Sequence, residues 1–586
     1  MTERMKDKPK KPLSELLKDD INFQPVYEEV KHNLNPTASD IERFYNKNII
    51  QDPFGGYPDL RAEIEGSGDY TKRALALPGK VYVSLIKGLD IEKQKENINK
   101  IVSKYRIVGL GPKEVVFVEV EKAADFEEAA LKMIINSVIK QDGKKDFSAP
   151  TMFFSESRLT ADMLSKIAKE NGISIRDLRR KLSFPNHRSV SVDERGVLGS
   201  FPSSPYFSRL VLNKLGKVDE RFSLVNMENY GFIAKFDIED ILGGINIDEN
   251  IEEKFGKLIE DLASVYLKFG GTASGLGVIK VKTKEEAIEF IKTIVKNTFK
   301  ARIFDLVDDK DFKKKYEKES YLRVWIEAKK GGYLSKKEID KFVKTKIPFS
   351  FTFTENLDGG RYEKIFEPSA QFYIEENEKG EKIVNLLGFT INHTNKEGIH
   401  MGNSVSKELN EYFKKHSEKV QILVDYVREL VGRFGYKGYL SLDLMLVKDK
   451  KGNVYIKIVE VNPRTTGATY ATVSYLILEN HNEEQKRKRA ITTFNTWKPK
   501  KELGINSLEK LYSWIGEALS EKNIGHDEIE IVPTMYNGTF AKVPLMILGK
   551  NKSVVIEALK MLIDNSQNPK DRETIDIPVE VFEKEK

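Results

Sequence analysis

Two carboxylates and one amide, Asp443, Glu460 and Asn462, are spaced so that a single hairpin can gather them. Gly438 to Val447 alternates, with Leu440, Leu442, Leu444 and Leu446 on one face. Asp443 therefore lies on the opposite face with Ser441 and Met445. A polar turn, Lys448 to Asn453, leads into Val454 to Asn462, where a period of two puts Glu460 and Asn462 on one face. If the two strands pair, three oxygen donors converge. That hard set suits Mg²⁺, which binds through one or two carboxylates and keeps places for water and phosphate oxygens. Idle carboxylates would be costly beside Ile456, Ile458, Val459 and Val461. Pro463-Arg464-Thr465-Thr466-Gly467 ends the strand, where Arg464 can neutralise phosphate or a developing oxyanion.

A second segment, Val265 to Val281, reads as strand, glycine-rich loop, strand. Gly270, Gly271, Gly275 and Gly277, with Thr272, Ala273 and Ser274 between them, let backbone N–H groups curl around a phosphate. Lys268, at the end of the preceding strand, can set its ammonium on the same phosphates. A strand follows the loop, which argues against a dinucleotide fingerprint, and the Walker pattern is absent. No H-R-D or D-F-G follows, so a protein-kinase loop is also excluded. A plain glycine-rich hairpin is the competing reading.

The elements that must position these residues follow an α/β plan. Residues 1–75 are polar, broken by Pro and Gly, and read as an irregular extension with one short helix near Thr37 to Tyr45. Residues 76–205 hold short apolar runs, Val81 to Ile86 and Glu114 to Val118, separated by helix-length charged segments, as in a parallel α/β unit. Helices at Ala161 to Asn171 and Ile175 to Leu182 complete it, and Asn186 to Pro205 reads as a linker. Alternation resumes at 206–330, which carries the glycine loop, and at 331–480, which carries the acidic hairpin. Thr283 and Glu286 have capping-box spacing at the head of a helix over Lys282 to Asn297. A last small α/β domain spans 490–586, with helices at Leu508 to Leu519 and Ser553 to Asp564 and strands at Ile529 to Val532 and Lys542 to Ile547.

Composition bounds the chemistry. The chain has 586 residues and no cysteine, which removes disulfides, thiolate metal sites and cysteine nucleophiles. Ninety-six Lys and Arg against 90 Asp and Glu leave +6, too little for a nucleic-acid-binding surface. No apolar run reaches the length of a membrane span, and the polar start, Met1 to Asp20, lacks the apolar core of a signal peptide. A cytoplasmic protein without nucleic-acid or membrane partners is expected.

The glycine loop with its lysine, followed by the D…E-x-N-P-R series, resembles the ATP-grasp superfamily over roughly Tyr206 to Glu479. The resemblance implies an ATP-grasp fold with an N-terminal parallel-sheet pre-ATP-grasp domain and a small C-terminal α/β domain. It implies ATP with Mg²⁺, or Mn²⁺, as cofactors. In its terms Lys268 binds phosphate, Gly270 to Gly277 form the loop over the triphosphate, and Asp443, Glu460 and Asn462 hold the metal. Arg464 faces an acyl phosphate, so Lys268 and Arg464 are the catalytic pair. Tyr321 to Glu327 looks like the strand that holds adenine by its backbone, with Trp325, Ile326 and Glu327 at the ring. Many members carry a second phosphate lysine upstream; here that place falls near Pro205, and Arg209, Lys214 or Lys217 are its candidate substitutes.

The layout is most similar to the pheganomycin-type peptide ligases, on Glu367-Pro368-Ser369-Ala370-Gln371, on Asn462 to Tyr470, and on Gly538 to Leu548 with the Val554 to Leu562 helix. The activity so implied is an ADP-forming, peptide-bond-forming carboxylate–amine ligase acting through an acyl phosphate on small-molecule or peptide substrates. The alternatives are a catalytically weak or silent ATP-binding protein whose outer domains bind partners, and a kinase- or carboxylase-like enzyme. No side-chain nucleophile is needed, in accord with the missing cysteine. His400 is the one histidine expected near the pocket, as a loop residue or a catalytic one.

Overall fold

The computed structural model describes residues 80–121, 205–269, 278–462, 466–480, 490–534 and 543–567. Short gaps fall at 308, 345, 358–360, 377–381, 395–399, 435–437 and 495–496, and a few isolated residues are described within 48–76, 126–133 and 169–172. The helices expected at Thr37 to Tyr45, Ala161 to Asn171 and Ile175 to Leu182 lie wholly or mostly outside the described residues, as do the linker and the 270–277 loop. The mixed α/β class expected from the sequence is the class observed.

The N-terminal unit is a parallel sheet of β1 (Asn48–Ile49), β2 (Lys80–Ile86) and β3 (Glu114–Val120), in that order. Helix α1 (Ile91–Ile107) joins β2 to β3 as a crossover. Asp90 starts it by accepting from Lys93 N at 3.0 Å, and Ile98, Ile101, Val102 and Tyr105 form its buried stripe.

A four-stranded antiparallel sheet follows, in the order β4 (Asn229–Phe236), β7 (Ile347–Glu355), β5 (Val265–Phe269), β6 (Val278–Val281). Its central strand β7 therefore comes from beyond residue 330, where the first lobe was expected to end. Strand β7 alternates strictly. Phe349, Phe351 and Phe353 enter a core with Val265 and Leu267, closed by α3 (Lys284–Leu306) and α4 (Tyr321–Lys330). Ser350, Thr352 and Thr354 occupy the other face, with Lys268 directly across from Thr352. Helix α2 (Pro205–Val218) packs against β4 and β7 on this sheet and on β13 of the next, so it bridges the two.

The third sheet has nine strands. Its order is β13 (Val454–Asn462), β12 (Gly438–Asp449), β9 (Pro368–Glu376), β10 (Lys382–Thr394), β11 (His400–Ser406), β14 (Ala490–Phe494), β16 (Leu545–Gly549), β15 (Ile529–Pro533), with β8 (Tyr362–Phe366) also on β12. Helix α5 (Ser417–Phe434) covers one face, where Leu440, Leu442, Leu444 and Leu446 are buried. Helix α6 (Gly467–Asn480) covers the other. The C-terminal strands continue this sheet, joined through β11 and β14. Gly402 permits that junction, because a Cβ there would lie 1.8 Å from the carbonyl oxygen of Thr493. Helices α7 (Leu508–Glu521) and α8 (Lys552–Asp564) match the two expected near the end of the chain.

Candidate active site

Strands β12 and β13 pair antiparallel as the hairpin demands, with Asp443 directly across from Glu460 and Ser441 across from Asn462. The register jumps from Asp443↔Glu460 to Leu444↔Ile458, so Val459 is an extra residue, a β-bulge. The bulge decides the chemistry. Ile456, Ile458, Glu460 and Asn462 share one parity, and an unbroken strand would send all four to the same face. Ile456 and Ile458 in fact enter the core beneath α5, and after the bulge Val461 takes over that role. Glu460 and Asn462 are thereby turned to the face of Asp443.

The residues across this face are polar. Ser369 on β9 lies opposite Asp443, and Gln371 lies opposite Ser441. Asn462 Nδ2 donates to Asp443 Oδ2 at 2.7 Å, which aims the amide oxygen of Asn462 away from the carboxylate. Gln371 Nε2 donates to Ser369 Oγ at 2.8 Å, and Thr469 Oγ1 in the first turn of α6 donates to Gln371 Oε1 at 3.1 Å. The expected Glu367-to-Gln371 segment thus ties the sheet to the head of α6. Among the described residues there is no group of three or more His, Cys, Asp or Glu side chains suited to a metal. The set is instead two carboxylates and an amide, whose oxygens fit Mg²⁺ when phosphate oxygens and water complete it.

Lys268 reaches this hairpin from the four-stranded sheet. Its Nζ donates to Val459 O at 3.4 Å, the carbonyl exposed by the bulge. Arg209 on α2, 2% exposed, donates from Nη2 to the same oxygen at 2.9 Å, to Ile458 O, and from Nη1 to Asn226 Oδ1 at 3.1 Å. Burial lowers the Arg209 pKa to about 10. Burial, and then the neighbouring guanidinium, lower Lys268 to about 8, while Glu460 and Asp443 pull it upward. Beside Lys268, the hydroxyls of Ser350 and Thr352 are buried without a partner in the described structure. Such orphaned groups facing a lysine fit a polar guest such as a phosphate.

The structure corrects one expectation. Tyr321 to Glu327 is the helix α4, not a strand. Ser320 caps it, accepting from Arg323 N at 3.4 Å, and Val324 N and Gly331 N bond to the helical carbonyls of Ser320 and Glu327. Its backbone is spent on itself and cannot grip a base. Val324 and Trp325 are buried in the core on the opposite face of the sheet from Lys268, Ile326 is solvent-exposed, and Glu327 Oε2 accepts from Tyr316 Oη at 3.3 Å. Tyr321, Val324, Trp325 and Ala328 have the i, i+3, i+4, i+7 spacing of a helix with one buried face.

The chain that crosses between the sheets is the end of β7. Glu355 is buried, which raises its pKa, and Asn356 Nδ2 donates to Ser264 Oγ at 3.0 Å. Leu357 then joins a small apolar cluster with Met227 and Val447, against which Met445 and Tyr455 pack. Met445 shares a face with Asp443, so this patch adjoins the carboxylates. Lys457, 7% exposed, borders it and donates to Asn226 O at 2.8 Å. Residues 270–277 and Arg464 lie outside the described residues.

No protein-family model matches the sequence, and no curated protein matches it. Solved structures similar to the chain include a biotin carboxylase–β,γ-ATP complex from Campylobacter jejuni, at 10% identity and a TM-score of 0.40, covering 89% of this chain and 92% of that one. A carboxyaminoimidazole ribonucleotide synthase from Aspergillus clavatus, complexed with ATP, is 11% identical with a TM-score of 0.35, covering 90% and 100%. Rhizobium etli pyruvate carboxylase is 11% identical with a TM-score of 0.41, covering 88% and 37%. Likeness at this level carries no functional weight, and the reading rests on the residues of the site.

Proposed function

We propose that the chain is an ATP-grasp enzyme that joins a carboxylate to an amine with ATP and Mg²⁺, releasing ADP and phosphate. One observation carries the proposal: Lys268 of the four-stranded sheet meets the Asp443–Glu460 hairpin of the nine-stranded sheet at the Val459 bulge. A cation and two carboxylates brought together from separate lobes suit a polyphosphate and its metal. Lys268 would hold phosphate oxygens, with Ser350 and Thr352 beside it. Asp443, Glu460 and the Asn462 amide oxygen would hold Mg²⁺, which supplies neutralisation of phosphate charge. The base would sit against Met445 and the backbone of residues 355–357, in place of α4. Gly270 to Gly277 would cover the phosphates, and Arg464 would stabilise the acyl phosphate formed when the carboxylate attacks the γ-phosphoryl group.

This reading makes catalysis chiefly positioning and charge neutralisation, with the activated acyl group carried by the substrate. Within it, a peptide-forming ligase is the narrower proposal, and small carboxylates, amino acids or peptides are its substrates. Arg209 is committed to the backbone carbonyls of Ile458 and Val459 and to Asn226 Oδ1, which leaves Lys214 and Lys217 as the substitutes for the upstream phosphate lysine. Mass spectrometry of products from ATP, Mg²⁺ and pooled amino acids and dipeptides tests the reading. New masses equal to acid plus amine less water are expected; ATP binding without turnover in any pool would favour the silent alternative.

A further inference from the structure

The net charge of the whole chain hides a stronger local one. Residues 310–346 hold 13 Lys and Arg against six Asp and Glu, which gives +7. The chain as a whole is +6, so the other 549 residues sum to −1. This basic segment forms three helices, Lys310–Tyr316, α4 and Lys336–Lys344, whose buried residues Phe312, Val324 and Phe342 join the core of the four-stranded sheet. Lys314, Lys315, Lys329, Lys330, Lys336 and Lys337 are exposed, and none has an ion-pair partner among the described residues. Arg323 and Lys346 are spent on Glu319 at 3.4 Å and on Asp237 at 3.5 Å.

Apolar side chains stand among these cations. The buried face of α4 takes Val324, Trp325 and Ala328, which leaves Leu322, Ile326 and Lys329 as an outer stripe at i, i+4 and i+7. Leu322 is 40% exposed and Ile326 36%. Tyr333, 42% exposed, is pinned just past the helix end. Its N–H donates to Ala328 O at 3.1 Å, and its ring lies 4.6 Å from that of Phe312. Gly331 makes room for that ring, since a Cβ there would come within 2.5 Å of it. Leu242, also exposed, follows Ile241, whose carbonyl accepts from Tyr321 Oη at 3.0 Å. Aliphatic and aromatic groups thus project from a helical surface rimmed by unpaired lysines.

We propose that this face docks on the surface of an anionic phospholipid bilayer, a role independent of the ligase reading. The contact is peripheral, because no described helix is long and apolar enough to cross a membrane. Three features select lipid over other anions. The unpaired cations are lysines, flexible point charges that suit a diffuse negative surface, whereas the arginine fork of Arg323 is committed to Glu319. Leu322 and Ile326 project outward from a helix, as insertion at the boundary of headgroups and acyl chains requires. Tyr333 brings a ring and a hydroxyl to the level where apolar and polar regions meet. Val324 and Trp325 place α4 on the face of the sheet opposite Lys268, so docking leaves the phosphate face open.

Flotation of the full chain with vesicles tests it, using phosphatidylcholine alone and phosphatidylcholine with roughly one-third phosphatidylglycerol. The chain should float with the anionic vesicles and not with the neutral ones, and high salt should weaken the binding. Lys329→Gln with Lys330→Gln should lower partition about 30-fold, from about fivefold for each lysine at the surface. Leu322→Ser with Ile326→Ser should lower it about tenfold. All four positions are exposed, and unchanged urea midpoints check that these variants keep the fold. Lys510→Gln with Lys522→Gln, in and next to α7, should leave partition unchanged. No flotation with the anionic vesicles overturns the proposal, as does flotation that survives both double variants of α4. Tighter binding to a duplex oligonucleotide or to polyglutamate, unaffected by the two serine substitutions, assigns the face to a nucleic acid or an acidic protein and also overturns it.

Discussion

The ammonium of Lys268 and the guanidinium of Arg209 converge on one acceptor, the carbonyl oxygen of Val459, at 3.4 and 2.9 Å. That carbonyl belongs to the extra residue of the bulge, and the next residue is Glu460. Arg209 has neutral oxygens as its hydrogen-bond partners among the described residues, so its buried charge is held by carbonyls and an amide. The same contact fixes the angle at which β13 presents its carboxylate and the point to which Lys268 extends.

Replacing Arg209 should therefore act on both stability and the site. Arg209→Met takes one donor each from Val459 O, Ile458 O and Asn226 Oδ1 and should cost about 2–4 kcal/mol in urea unfolding. It should also raise the Lys268 pKa above about 8, measured by NMR of labelled lysines, because the cation that helps depress it is gone. Arg209→Lys should recover the charge but not the fork of donors, and only part of the stability.

The bulge itself is open to test by a deletion. Removing Val459 restores an unbroken ladder in which Glu460 follows Ile458 directly and stays on the face of Asp443, but it takes away the carbonyl that Lys268 and Arg209 share. Mg²⁺-dependent nucleotide binding, followed by calorimetry, should weaken by about tenfold as Lys268 loses its anchor beside the carboxylates. Val459→Ala keeps the residue count and should retain that binding to within about threefold, at a cost near 1 kcal/mol.

His393 predicts a pH dependence of stability. Its Nε2 lies 2.6 Å from Ser404 Oγ, which lies 2.7 Å from Thr492 Oγ1. Burial, and then His400, lower its pKa from 6.5 to about 4. The unfolded chain binds this proton more readily than the native one, so the native state loses stability as pH falls from 6.5 toward 4. The loss should reach about 3 kcal/mol and be complete below about pH 4. His393→Gln should flatten that slope in urea titrations at a series of pH values.

Gly402→Ala tests the continuity of the nine-stranded sheet. The added Cβ would strike the Thr493 carbonyl, so β11 and β14 must separate locally. A loss of about 2–4 kcal/mol is expected in thermal or urea unfolding, against about 1 kcal/mol for Gly504→Ala at an exposed turn, where the Cβ meets nothing and the positive φ is the whole cost.

Much of the site is legible in the sequence because hairpins carry local signals. The leucine alternation of β12 assigns Asp443 to its face, and the pairing with β13 follows from the turn. Glu460 and Asn462 also reach the face of Asp443, but not through the period of two alone. That period places them with Ile456 and Ile458, and only an inserted residue reconciles apolar and polar positions of one parity. The conflict was visible and its resolution was not. The α4 segment misled because Tyr, Val, Trp and Ile favour strands, whereas the Ser320 cap and the core contact select a helix. Its place beside Pro205 makes Arg209 a candidate phosphate ligand in the sequence, whereas its actual partners, the carbonyls of Ile458 and Val459, lie on a strand distant in sequence that no local pattern connects to it.

The central claim is that a substrate carboxylate is activated by phosphorylation at the site built on Lys268, Asp443 and Glu460. Its most direct test is isotope transfer, using ATP, Mg²⁺, pooled amines and amino acids with ¹⁸O in both carboxylate oxygens. Each amide formed should be matched by one inorganic phosphate bearing one ¹⁸O, with ADP as the nucleotide product, and Glu460→Gln should lose at least about 10²-fold of this transfer. Label in AMP, or phosphate released without label while product forms, would contradict it.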